Sequence, residues 1–503
     1  MFRFMSKEEA AACIRDGAVV GINSFLSLCN PQALHEGIYQ RFMAEGHPCG
    51  LTLLCASGYG RRDEEGFAEP YVAAGAVRRV IASHYATMPV TQRMALAGEI
   101  EAYCLPLSAI SHGIRARAGG QRGCLSQVGL GLFVDPRQQG PGVNARSQEK
   151  LVELVQLDGE EYLYYRLPPL DVALIKATAV DAAGNISFED EYVVADALAM
   201  AQNAHANGGI VLVQVDRVTH VHARPRSVVL PGVLVDGVVV EEPECRAEPT
   251  QTLSGDIHVP HTHMDYWMRR LRRAYPMQAK TAGDESRAII GARAAAELQP
   301  GDVVNIGVGI PEQVAVYASQ RGVLKEITLT VEAGGIGGLP APGAFFGATI
   351  GADMITDMAS QFDFYNGGGL SICFMGALEV DCHGNVNAHS LPNAYPGIGG
   401  FANITSATKN VVFCLNFRHR GLVVQRTGAG VRIVQEGAEP KFRRSIRAIS
   451  FSAEHALAAG HRVLYITERC VFELTAAGLR LAEVYPGVDA EGEIRALLDF
   501  PLA

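Results

Sequence analysis

No stretch of the 503-residue sequence is long and apolar enough to cross a bilayer. The most apolar runs, "GIVLVQV" (Gly209–Val215) and "VVLPGVLVDGVVV" (Val228–Val240), are too short or too interrupted. The opening "MFRFMSKEEAAACIRDG" holds no apolar segment of signal-peptide length, and it carries acids where a transit peptide avoids them. A cytoplasmic location, with no membrane partner, is therefore expected. Positive charge is not in excess either: 43 basic residues stand against 53 acidic ones, a net charge of −10, which argues against nucleic acid as a partner. The one basic cluster, "MRRLRRAYP" (Met268–Pro276), reads as a solvated helix face. The eleven cysteines are scattered singly with no C-x-x-C pair, which argues against a disulfide framework and fits reduced thiols. Cys55, Cys373 and Cys414 fall in apolar runs and are expected in the core. No H-E-x-x-H or Cys/His framework marks a metal site, and "HVPHTHMD" (His258–Asp265) reads as a polar loop. Neither a metal nor a permanently bound cofactor is expected.

What is present is a soluble, globular composition, 48% hydrophobic and 19% charged, on a chain too long for one core. Short strand-like runs alternate with helical patterns, the mark of an α/β protein with parallel strands. The chain also repeats itself. "VDAAGNIS" (Val180–Ser187) recurs as "VDCHGNVN" (Val380–Asn387), each reading as a strand, a tight turn and a return strand. Asp16–Phe25 parallels Pro300–Gly309, Leu51–Gly58 parallels Ile327–Gly334, and Ile81–Tyr85 parallels Met358–Phe362. Gly208–Val215 likewise matches Asn410–Phe417. Two related α/β domains follow, 1–275 and 280–503, joined by a polar, helix-prone stretch from about His258 to Glu285.

The repeat sets Ala56 opposite Glu332, the single acid in "ITLTVEAGGIGGLPAPG" (Ile327–Gly343). An acid needed only for the fold would tend to occur in both copies, so Glu332 is expected to serve chemistry. In a parallel α/β sheet it would project into the crevice beyond the carboxyl ends of the strands. The motif holds no partner base and no second metal ligand, which leaves a nucleophilic carboxylate as the reading that survives. The glycines Gly334, Gly335, Gly337 and Gly338 would let a substrate or a facing backbone approach. "NIGVGIPEQVAVYA" (Asn305–Ala318) runs from strand to helix, and its loop amides suit an anion.

Taken together, "NIGVGIPE", "TLTVEAGGIGG", "QFDFYNGGG", "DCHGNVN", "GIGGF", "IVQEG" and "YITERCVF", in that order, resemble the family I coenzyme A transferases. Within them the resemblance is to the single-chain short-chain acyl-CoA or acetate CoA-transferase (YdiF-like) group. "GLFVDPRQQG" (Gly131–Gly140) and "EYLYY" (Glu161–Tyr165) extend it into the first half, so that it covers nearly the whole chain. The resemblance implies two open α/β domains of the NagB/RpiA/CoA-transferase type, with the active site at their interface. It implies transfer of CoA from an acyl-CoA to a free carboxylic acid, by a ping-pong mechanism through a glutamyl-CoA thioester on Glu332. CoA would be a co-substrate, the acid a short-chain one such as acetate, and the assembly a homo-oligomer, by resemblance a tetramer. Gly397, Gly399 and Gly400 match a glycine segment near bound CoA, and Gly367, Gly368 and Gly369 match another.

The first half departs from the family pattern. The family's oxyanion loop, V-G-x-G-G-F, is here "VGINSF", with Asn23 and Ser24 in the two glycine places. Ser27 and Cys29 occupy positions that are often glycine, and Leu107 and Ser108 stand where a Gln-Gly pair is usual. Asn23 and Ser24 are expected to offer donors to an oxyanion, and Leu107 to make the acyl pocket more apolar or larger. Two alternatives remain: an acyl-CoA hydrolase on the same scaffold, and a non-catalytic acyl-CoA binding protein.

Overall fold

The computed structural model describes residues 2–62, 66–241, 282–341, 345–428 and 430–503. The expected domain boundary at 275–280, the His258–Asp265 loop and the Met268–Pro276 cluster lie outside the described residues. No helix among those described is long and apolar enough to cross a membrane.

Two large sheets organise the chain. In the first, Gly237–Val240, Ile210–Val218, Val172–Val180, Val19–Asn23, Leu51–Leu54, Val77–Ala82 and Glu101–Cys104 lie side by side, all parallel. Val172–Val180, "VALIKATAV", is buried at every residue. A parallel strand covered on both faces has no reason to alternate apolar with polar residues, and this one does not. Its buried Lys176 is held by Glu191, by Asp216 at 2.9 Å and by the Ala177 carbonyl at 2.9 Å.

The second sheet repeats the centre of the first. Asn410–Cys414, Ile372–Gly376, Val303–Ile306 and Thr328–Thr330 neighbour one another in the order of their counterparts Ile210–Val218, Val172–Val180, Val19–Asn23 and Leu51–Leu54. The two D-x-x-G-N turns are built alike. Asp181 accepts from the amides of Ala183 and Asn185 and from Asn185 Nδ2, and Asp381 from His383, Asn385 and Asn385 Nδ2. Short side-chain-to-backbone bonds of this kind fix a turn locally, which is why the motif survives in both copies.

One expected correspondence fails. Ile81–Tyr85 runs off the parallel strand Val77–Ala82, whereas Met358–Phe362 opens the helix Met358–Asn366, capped by Asp357 on the Ser360 amide. The halves diverge after the strand that should carry the acid. Beyond Leu51–Leu54 the first half crosses through a helix, Glu69–Ala73, to another parallel strand. Beyond Thr328–Thr330 the second half folds straight back as Gly335–Ile336, antiparallel, with Thr330 opposite Ile336.

The halves are docked by main-chain bonds. Tyr85 N donates to Pro396 O at 2.8 Å, Gly399 N to Ser83 O at 2.9 Å, and Leu107 N to Gly399 O at 3.1 Å. Asn403 spans the junction, bonded to the Ser108 hydroxyl and to Asn366 Oδ1 at 3.1 Å. Phe133 stacks on His389 with ring centroids 3.9 Å apart. These contacts seat the Pro396–Phe401 segment of the second half against the carboxyl ends of the first-half strands.

Candidate active site

Glu332 lies in the turn Val331–Gly334 that closes the Thr328–Thr330 strand. Val331 N donates to Gly335 O at 2.8 Å and Gly334 N to Val331 O at 3.0 Å. Gly334 has φ +116° with its face on the Thr356 carbonyl, so a side chain there is excluded by both conformation and space. Gly335 similarly faces Thr349. At both positions the motif's glycines admit the protein's own chain, not an open approach for substrate. Beneath the turn, Tyr365 Oη donates to Thr330 Oγ1 at 2.9 Å, and Thr330 Oγ1 to Val304 O at 3.0 Å. Asn305 Nδ2 donates to Thr330 O at 3.3 Å. The strand end that carries Glu332 is thus fixed from three sides.

The Glu332 carboxyl faces a cavity of about 980 Å³ between the two halves. Phe25, Leu26 and Leu107 from the first half line it, with Val331, Phe346 and Ile398 from the second. Among the described residues no donor reaches the carboxylate, and burial raises its pKa to about 7. Gly400 stands directly against it: a Cβ there would fall well inside van der Waals contact of Glu332 Oε2. Gly399 lines the same cavity, and Gly397, at φ +81°, bridges to His84.

Leu107 is fully buried and lines the cavity as expected. The side chains of Asn23 and Ser24, expected with their amides as donors to an oxyanion, are turned elsewhere. Asn23 Nδ2 donates to Val194 O at 3.2 Å while its Oδ1 accepts from Asp196 N at 2.8 Å. Ser24 Oγ donates to Gly58 O at 3.0 Å. Both side chains are buried and tie neighbouring loops together instead of turning into the cavity, whose lining from this loop is Phe25, Leu26 and Ser27. Cys29 keeps a glycine-like backbone, φ +57°, without the glycine.

Gly367, Gly368 and Gly369 are not brought to the cavity. They end the helix Met358–Asn366 and lead into the amino end of Ile372–Gly376, the opposite edge of the sheet from Glu332.

The cavity also gathers residues that sequence reasoning missed. Arg61, Arg62 and Arg287 line it, with His84, Asn305 and Glu312. His84 is held neutral, its pKa lowered to about 4 by burial and by the Arg62 charge. The adjacent pair Arg61-Arg62, just after a strand end and the glycines of "SGYG", was the one local signal available. Arg287 gave none, since it sits on a helix remote in sequence.

The sequence profile of the family described as coenzyme A transferase matches residues 4–241 and 288–491. The chain belongs to the coenzyme A transferase family. The transferase is 37% identical to acetate CoA-transferase YdiF of Escherichia coli (strain K12), over 99% of this chain and 92% of that one. It is 36% identical to the caffeate CoA-transferase of Acetobacterium woodii, over 99% and 94%. A crystal structure of the YdiF acyl-CoA transferase of E. coli O157:H7 as a thioester complex with CoA superposes with a TM-score of 0.89. That match is 34% identical and covers 100% of this chain and 93% of that one.

Replacing Gly400 with alanine tests the packing at the carboxylate. The added methyl must displace Glu332 or the docked segment, and misplacement of a reacting group by about 1 Å lowers turnover roughly 100-fold. Steady-state CoA transfer by Gly400→Ala should fall by that order with an unchanged circular dichroism spectrum. Near-wild-type turnover would show that the carboxylate does not work in this position.

Proposed function

We propose that the transferase moves CoA between an acyl-CoA and a free carboxylic acid through covalent intermediates on Glu332. The observation that carries this reading is a carboxylate in the cavity between the halves that no donor among the described residues reaches, with a glycine against it. A desolvated carboxylate is a stronger nucleophile than a hydrated one, and the cavity leaves room for the acyl carbon to reach it.

A Glu332 oxygen attacks the thioester carbonyl carbon; the C–S bond breaks, CoA leaves as thiolate, and a mixed acyl-glutamyl anhydride remains. The thiolate attacks the glutamyl carbonyl, a C–O bond of the anhydride breaks, and the first acid departs as carboxylate. An acceptor carboxylate then runs the same steps backward. No net proton, ATP or metal enters the balance. Arg61, Arg62 and Arg287 supply positive charge on the cavity wall for the anionic substrate, and CoA binding energy favours the anhydride step. The crystal structure of the YdiF acyl-CoA transferase as a thioester complex with CoA supports a CoA thioester as one of the intermediates.

The walls near the nucleophile, with Phe25, Leu26, Leu107, Val331, Phe346 and Ile398, favour a short apolar acyl group over a polar one. This reading carries with it a cytoplasmic homo-oligomer, a tetramer by family resemblance; sedimentation velocity of the full chain should give a mass above the monomer's 53.8 kDa.

Incubation with acetyl-CoA and no acceptor should add one CoA to the peptide containing Glu332 in intact and peptide mass spectra. Glu332→Gln should abolish the adduct and reduce transfer to background. Because the attacking form is the carboxylate and its pKa is about 7, kcat/KM should be level above pH 8 and fall about tenfold per pH unit well below 7. Full transfer by Glu332→Gln would overturn the nucleophile, and CoA release without acceptor would instead mark a hydrolase.

Leu107→Gln should lower kcat/KM for butyryl-CoA relative to acetyl-CoA by about tenfold, the order expected for two methylenes losing an apolar wall. An unchanged ratio would remove Leu107 from the acyl pocket.

A further inference from the structure

We propose that Asp16, His47 and Cys49 form a binding site for a borderline-soft divalent cation of the Zn2+ class. The site lies far from the catalytic cavity. Asp16 precedes the strand Val19–Asn23, and His47 and Cys49 precede Leu51–Leu54, at the amino ends of parallel strands whose carboxyl ends face Glu332. It is therefore not part of the CoA chemistry.

One ligand atom from each residue, a carboxylate oxygen, an imidazole nitrogen and a thiol sulfur, lie within 4.8 Å of one another. Among the described residues no other group of His, Cys, Asp and Glu converges in this way. The site is braced. Asp16 Oδ1 accepts from the Cys49 amide at 2.8 Å, Asp16 Oδ2 is 2.8 Å from His47 Nδ1, and Gly17 N donates to Cys49 O at 2.8 Å. The backbone bond from Gly17 to Cys49 and the Cys49 amide on the Asp16 carboxylate thus hold the two ligand-bearing loops together. A tetrahedral ion with bonds of about 2.0–2.3 Å spaces its ligands roughly 3.3–3.8 Å apart, so side-chain rotation of about 1 Å closes the site.

The donor set decides the class of ion. One sulfur, one nitrogen and one oxygen suit Zn2+, Co2+ or Ni2+; Mg2+ and Ca2+ need several oxygens and reject thiolate. Three protein ligands leave a position for water, and the half-exposed Asp16 and His47 side chains give the ion a path from solvent. Binding releases the Cys49 thiol proton to solvent and requires the His47 tautomer protonated on Nε2.

Titration of the full chain with Co2+ alone tests the site. The expected result is one Co2+ per chain with thiolate-to-cobalt charge-transfer absorption in the near ultraviolet. Cys49→Ser should abolish the absorption, and His47→Ala should weaken binding at least tenfold. Because Cys49 is not in the catalytic cavity, CoA transfer by Cys49→Ser should equal that of the parent, which also establishes that the variant folds. Absence of the absorption at one equivalent, or its persistence in Cys49→Ser, would overturn the proposal. The reading of Glu332 stands or falls separately.

Discussion

The site depends on holding a carboxyl group largely out of bulk water and, among the described residues, beyond the reach of hydrogen-bond donors. Holding Glu332 at a pKa of about 7 instead of 4.5 corresponds to roughly 3 kcal/mol against the charged form. A single open sheet does not create such an environment at its edge. It arises because the Pro396–Phe401 segment is pinned to Ser83, Tyr85 and Leu107 of the other half, which brings Gly400 onto the carboxylate. Docking of the halves and the raised pKa of Glu332 are therefore one structural event.

The internal repeat supplies the frame for this, and its breakdown places Glu332 at the cavity. Four central strands keep the same order in both sheets, and the two D-x-x-G-N turns keep the same hydrogen bonds. The copies part company just after Leu51–Leu54 and Thr328–Thr330. One chain crosses to a further parallel strand, and the other turns back in a hairpin whose tip is Glu332. A hairpin tip at the carboxyl end of a parallel sheet aims one side chain into the crevice where α/β proteins bind ligands. In the other half the equivalent Ala56 is a buried core residue.

The loop after Val19–Asn23 contributes apolar walls to the cavity. Asn23 and Ser24 look like donors when read as a string, but a polar side chain near other polar groups in the interior bonds to the nearest of them. Here those are the Val194 and Gly58 carbonyls and the Asp196 amide. What remains facing the cavity from this loop is largely apolar, and with Leu107 it shapes the space beside Glu332.

The α/β class, the doubling of the chain, the family and the place of Glu332 at a strand end were all legible in the sequence. Each rests on local pattern: strand periodicity, turn residues at fixed offsets, and one acid in a glycine run without a counterpart in the repeat. Side-chain direction and distant convergence were not legible, since both are set by packing between segments far apart in the chain. Only the folded molecule turns Asn23 inward, sends Gly367–Gly369 to the far edge of the sheet, and brings Arg61, His84 and Arg287 to the same cavity as Glu332. It alone sets His47 and Cys49 beside Asp16, about thirty residues earlier, where no Cys/His spacing announced a ligand set.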